Sequence, residues 1–301
     1  MAYLLLALTT LFWATNFVLG RAISPDIPPI TLAFIRWSVA LAILLPFVIP
    51  TVWKKRVLIR ENWLSLSLLG TLSVATFNTL AYIGLQSTTA LNGTLMQSTM
   101  PIMILLLSAV FLRETATKKQ WLGVIVSLAG VLLLMSKGSF ELFLDLRFNT
   151  GDLWIISAML IWGIYSICLR WKPTDLTQFA FLQLTLVVGV FVLMPLAVWE
   201  QQDAIEIEWS RDLYFLFAYL AVFPSILAYL FWNYGVEKIG AQKAGLFIHL
   251  VPLWGMILSV SFLGEQVQAF HLGGMALIFA GIYLAVIADR TKTTTNKESG
   301  G

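Results

Sequence analysis

The chain has 301 residues, of which 59% are hydrophobic and only 12% charged. That is about half the charged share of a soluble domain, and the charges avoid stretch after stretch of about twenty residues, so the composition excludes a soluble enzyme or nucleic-acid binder and indicates a polytopic membrane protein. The net charge of +3 therefore informs only through where the basic residues sit, and the single cysteine, Cys168, excludes an internal disulfide.

Ten helical spans follow in chain order: 3–22, 29–50, 63–84, 91–112, 120–136, 151–170, 177–199, 212–234, 242–263 and 271–288. Each lies near the ~20 residues that cross a hydrocarbon core of about 30 Å. The fifth and tenth are on the short side. Helices are the required form, because backbone polar groups in lipid must be satisfied within the segment. The first apolar run opens at Tyr3 without a basic stretch before it, which disfavours a cleavable signal peptide. The longest connection, SKGSFELFLDLRFNT between spans five and six, leaves no room for a soluble domain. The polar end TKTTTNKESGG reads as a disordered tail over 291–301.

The chain repeats itself. PIMILLLSAVFLRE, Pro101 to Glu114, returns as PLWGMILSVSFLGE, Pro252 to Glu265, with six of fourteen positions identical at an offset of 151. Gly84 and Gly235, Ala90 and Ala241, Gly123 and Gly274, and Ala129-Gly130 and Ala280-Gly281 keep the same offset. At the start of each half the offset is 149: Trp13 matches Trp162, Arg21 matches Arg170 and Pro46 matches Pro195. One five-helix unit is thus written twice, over 1–136 and 150–290. Because five is odd, the second copy enters from the opposite side, the inverted-repeat plan of many secondary transporters. With a cytoplasmic N-terminus, fourteen basic residues fall inside and four outside (Arg21, Lys137, Arg147 and Arg211). That asymmetry places both termini in the cytoplasm.

The proline, apolar run and LRE or LGE glutamate, followed by WLGVIVSLAGVLLL or HLGGMALIFAGIYLA, resemble the two EamA-type repeats of the drug/metabolite transporter superfamily. FWATNFVLGRA in the first span fits the same pattern, and the resemblance runs over about 3 to 288. Within the family the chain most resembles the amino-acid exporters of the YddG and threonine/homoserine type. The resemblance implies an all-α membrane protein of ten transmembrane helices, two inverted repeats around a central cavity, in the inner (plasma) membrane of a bacterium. It also implies that spans one, three, four, six, eight and nine line the cavity, and that five and ten are peripheral.

Polar residues in mid-span are the ones that lipid does not explain. Thr9, Trp13 and Asn16 share one face of the first span, and Thr71, Ala75, Asn78 and Tyr82 one face of the third. Gln97 and Ser98 lie in the fourth span, Trp162 and Tyr165 on one face of the sixth, Tyr229 and Asn233 on the eighth, and His249 in the ninth. Across the repeat, Asn16 corresponds to Tyr165, Asn78 to Tyr229, Tyr82 to Asn233 and Ser98 to His249. Rings plus amide groups suit a zwitterion with a variable side chain. The substrate-binding set is therefore Asn16, Asn78, Tyr82, Gln97, Ser98, Trp162, Tyr165, Asn233 and His249. The bland alternative is that these groups only bond helix to helix. Trp53, Trp63, Trp171, Trp199 and Trp209 stand at span ends as interfacial anchors, a place that Trp13 and Trp162 do not share.

Pro101 and Pro252 are expected to kink spans four and nine and act as hinges. Arg36 reads as structural, satisfying helix-end carbonyls or snorkelling outward, in preference to binding a substrate carboxylate. Glu114 and Glu265, at span ends, read as structural caps or loop-ordering salt-bridge partners in preference to a proton relay. Gly123, Ser127 and Gly130, with Gly274 and Gly281, form small faces that pack spans five and ten together, with a dimer as the second option and a functional monomer as the first. The sequence lacks a G-x-x-x-x-G-K-[ST] loop, and its first span lacks the glutamate of small multidrug transporters. The expectation is export of small neutral metabolites, amino acids above all, by alternating access without ATP hydrolysis. No enzyme activity, cofactor, metal or nucleic acid is expected; the partners are a small amino-acid-like substrate and membrane lipid. The competing readings are a proton-coupled efflux pump and a non-transporting scaffold or receptor.

Overall fold

The computed structural model describes residues 1–111, 117–139, 141, 149–201, 207–239, 244 and 246–284. Within them the regular structure is helical. Among the described residues seven helices are long and apolar enough to cross a membrane: Ala2–Ile23, Pro29–Lys54, Trp63–Ser87, Ala90–Phe111, Thr150–Trp171, Gln178–Glu200 and Arg211–Ile239. They answer to spans one to four and six to eight. Spans five, nine and ten are shorter apolar helices, Trp121–Leu134, Leu250–Leu263 and Ala269–Gly281. The tail 291–301 and Glu114 lie outside the described residues. The five expected anchor tryptophans are all exposed, whereas Trp13 and Trp162 are buried.

The packing obeys an exchange of the two halves. The first span packs on the eighth and ninth, and the sixth packs on the third and fourth. The second packs on the seventh and the fifth on the tenth. Swapping each span for its counterpart returns the same set of pairs, as a two-fold relation demands. Side chains repeat the pattern. The equivalent rings of Trp13 and Trp162 meet each other at 5.3 Å, so the pseudo-axis runs between them. Gly84 lets the third span close on Ile155 of the sixth, where a Cβ would stand 2.8 Å from the Ile155 Cδ1. Its counterpart Gly235 does the same against Leu6 of the first span, at 2.5 Å. A Cβ on Gly130 would lie 2.7 Å from the Gly274 carbonyl oxygen, so the small faces of spans five and ten meet within one chain.

Helix ends in the first half are closed by acids from the second. Glu265 accepts from the Ala90 and Leu91 N–H groups at 2.9 and 2.8 Å and so caps span four together with the N-cap Thr89, whose hydroxyl accepts from the Asn92 N–H at 3.1 Å. Glu200 accepts from the Ile30 and Thr31 N–H groups at 3.1 and 2.6 Å, at the start of span two. A carboxylate suits these sites because the first-turn N–H groups have no partner inside the helix and carry its positive dipole end.

Two irregularities occur at matching places. The third span is π-helical over Thr71–Thr76 and the eighth over Ala221–Leu227, an offset of 150 at the start (221 − 71) and 151 at the end (227 − 76). A π turn leaves carbonyls without their usual partner, and side chains take them up here. The Ser73 oxygen accepts from Asn78 Nδ2 and Tyr229 Oη, both at 2.9 Å, and the Leu220 oxygen accepts from Ser225 Oγ at 2.7 Å. The fourth span tightens to 3₁₀ geometry over Gln97–Thr99 and the ninth is 3₁₀ over Leu246–His249. The prolines then fall second in Met100–Phe111 and third in Leu250–Leu263. The prolines thus stand in the opening turn of the α segment that follows each 3₁₀ stretch, where a missing N–H removes no α-helical bond.

Candidate functional site

Where the first three spans meet the sixth and eighth, the interior is polar on one side and aromatic on the other. Arg36, from the second span, is the hub of the polar side. It is 1% exposed. Its Nε donates to Ser225 Oγ at 2.6 Å, and its Nη1 donates to Asn16 Oδ1 at 2.9 Å, Asn78 Oδ1 at 2.9 Å and Tyr82 Oη at 2.8 Å. Tyr82 Oη in turn donates to Asn16 Oδ1 at 2.7 Å. The arginine therefore neither snorkels nor caps a helix end. Its acceptors are neutral side chains from the first, third and eighth spans. The second span, left out of the expected lining, supplies the charge at its centre.

The aromatic side is built around Trp162. Its ring centroid lies 4.8 Å from Phe77, 5.1 Å from Tyr165, 5.3 Å from Trp13 and 5.8 Å from Tyr229. Trp13 also reaches Trp232 at 5.1 Å. Offset and edge-to-face pairs at these distances are each worth about 0.5–1.5 kcal/mol beyond burial. Trp37 packs edge-on against Tyr229 at 5.2 Å and lies 4.7 Å beneath the Arg36 guanidinium. The two sides share a joint, because the Ser73 carbonyl freed by the π turn holds both Asn78 of the hub and Tyr229 of the rings. The indole N–H groups of Trp37 and Trp162 are buried without a hydrogen-bond partner.

Of the sequence-predicted set, Asn16, Asn78 and Tyr82 are drawn together on Arg36, and Trp162 and Tyr165 share the ring cluster. Gln97 is 1% exposed with its Nε2 unpartnered, and Asn233 is also buried. The side chains of Ser98 and His249 lie outside the described residues. Side chains expected to line a cavity thus close on one another here. Sequence reasoning missed Ser225, which looks like any small residue in an apolar helix, and Phe77, whose partner sits in the other half. It also passed over Asp152. This acid is fully buried in the first turn of the sixth span; it accepts from the Thr88 hydroxyl and leaves Oδ2 unpartnered. Its place just after the N-cap Asn149 made it look like an ordinary first-turn acid.

Comparison with known proteins agrees with the repeat. The EamA-like transporter family matches residues 1–136 and again 149–287. The chain is 30% identical to the uncharacterized transporter YyaM of Bacillus subtilis (strain 168), over 98% of this chain and 97% of that one. It is 28% identical to an uncharacterized transporter of Archaeoglobus fulgidus, over 94% and 96%. A solved crystal structure shares the fold at a TM-score of 0.63 and 18% identity, over 96% of this chain and 98% of the other. Two family matches, one for each half of an all-helical membrane protein, make this chain a multi-pass transporter that belongs to the EamA-like transporter family of the drug/metabolite transporter superfamily.

Proposed function

We propose that the chain exports small metabolites of no net charge, amino acids with aromatic or aliphatic side chains above all, in the manner of the YddG-type exporters and without ATP hydrolysis. The observation that carries this reading is the juxtaposition of a hydrogen-bonding hub, Arg36 with Asn16, Asn78 and Tyr82, and an aromatic cluster around Trp162, joined at Ser73. A zwitterion leaving water needs replacement hydrogen bonds, since an unmet buried polar group costs about 1–3 kcal/mol. The hub offers them, and the rings offer a surface for the side chain. The closed packing of these groups corresponds to an occluded state, and the halves rock about the Trp13–Trp162 axis to open each side in turn.

Counterflow in proteoliposomes tests the substrate class. Vesicles loaded with unlabelled phenylalanine or leucine should accumulate the labelled amino acid, while vesicles loaded with a nucleoside or a cationic drug should not. Accumulation confined to the drug would sink the amino-acid reading. In the proposed orientation both termini are cytoplasmic, and reporters fused in the 54–60 and 200–212 loops should face opposite sides of the membrane.

A further inference from the structure

The Arg36 guanidinium is a full positive charge in the membrane-spanning part of the molecule, 1% exposed, and among the described residues no carboxylate pairs with it. Such a charge is costly to bury, and in membrane proteins an intramembrane cation faces an interior partner or marks a substrate path. Its four acceptors are all neutral, so they satisfy its hydrogen bonds and leave its charge unbalanced. The charge is also confined to one half. Thr185 stands at the matching position of the second half (36 + 149) and spends its hydroxyl on the Phe181 and Leu182 carbonyls of its own helix. A cation whose only task was to join two quasi-equivalent halves would have a counterpart or a counter-ion; this one has neither among the described residues. Beside it the Trp37 ring, 4.7 Å from the guanidinium, offers the attraction of its π face but no negative charge.

We propose that Arg36 is the carboxylate-binding residue of the transport site, so that the substrates are those bearing a free monoanionic carboxylate. The proposal rests on the transport reading above and adds to it a chemical requirement. In the occluded state Asn16, Asn78, Tyr82 and Ser225 occupy the guanidinium as neutral stand-ins. A substrate carboxylate replaces part of this set with a charge-assisted, bidentate pair, which is stronger and geometrically selective. One guanidinium balances one negative charge. Arg21, the cation at the end of the first span, is engaged with the Leu85 and Gln86 carbonyls, so a phosphate dianion finds no second cation in this set.

Four probes dissect the requirement on the full-length protein in detergent: L-phenylalanine, phenylacetate, L-phenylalaninamide and phenethylamine. Binding is read by quenching of tryptophan fluorescence and by thermal shift. The two carboxylates are expected to bind, with the amide and the amine weaker by about tenfold or more, the scale of a lost charge-assisted pair. Arg36→Gln should erase the difference between acid and amide. Because that variant can fail to fold, Asn16→Asp provides the second arm. It keeps the Oδ1 acceptor of Arg36 and Tyr82 while installing a permanent counter-ion. It should melt no lower than the parent and lose carboxylate binding. An amide that binds as tightly as the acid, an Asn16→Asp variant that still binds phenylalanine like the parent, or no binding by any probe would overturn the assignment. The two proposals fail separately. Phenylacetate binding through Arg36 with no amino-acid counterflow would refute the exported class alone. Phenylalanine counterflow with equal binding of acid and amide would refute Arg36 alone.

Discussion

Trp162→Ala should change which amino acids cross, more than how many. The indole touches Phe77, Tyr165, Trp13 and Tyr229 at once, so its removal opens a hollow where four rings converge. Two consequences follow from packing. The fold should lose stability on the scale of a buried Trp-to-Ala change, about 3–5 kcal/mol, visible as a lower melting temperature in detergent. The hollow should also admit bulk, and an apolar pocket discriminates at about 1–3 kcal/mol per methylene. The ratio of phenylalanine to alanine uptake, normalised to inserted protein, is therefore expected to rise by about tenfold or more. Trp162→Phe keeps a ring in place and should fall between the two. If all three proteins share one ratio, the tryptophan is packing and the substrate passes elsewhere.

The second large effect is expected from Pro101→Ala combined with Pro252→Ala. Each proline opens a helical segment immediately after a 3₁₀ stretch, Gln97–Thr99 or Leu246–His249. Alanine restores an N–H and prefers the helix interior by about 3 kcal/mol over proline. Each break can then heal into one continuous helix. If the halves bend at these points, healing them should slow counterflow about tenfold, equivalent to about 1.4 kcal/mol on the barrier. The melting temperature should hold or rise. Unchanged transport by a well-folded double variant would remove the hinge role from both prolines.

The spans and the doubling were legible in the sequence because both rest on one-dimensional signals: run length, and identity at a fixed offset. That Glu265 has a structural task was legible from its place at a span end, but not that it caps span four, 174 and 175 residues away. The hub was not. Periodicity put Asn78 and Tyr82 on one face of the third span, which the structure keeps, but it cannot show what that face meets. Arg36 finds Asn16, Tyr82 and Ser225 at separations of 20, 46 and 189 residues. Only the tertiary arrangement brings a cation, two amides and two hydroxyls to one point. The π turns escaped for another reason. TLSVAT carries no propensity for a wide turn, and the one signal in AVFPSIL is Pro224, whose missing N–H leaves the Leu220 carbonyl free. They persist because Asn78, Tyr229 and Ser225 take the carbonyls such a turn frees, and none of those bonds has the three- or four-residue spacing of an α-helix.

The paired wide turns also bear on register. A π turn holds one residue more than the α turn it interrupts, so every side chain after it is rotated by about 100° from where an unbroken α-helix would aim it. Asn78 and Tyr82 come after the turn in the third span, and Tyr229 and Asn233 come after it in the eighth. The turns thus set the direction in which both halves present their polar groups, and the differences at matching positions, Asn78 against Tyr229 and Arg36 against Thr185, give the centre a charged end and an aromatic end.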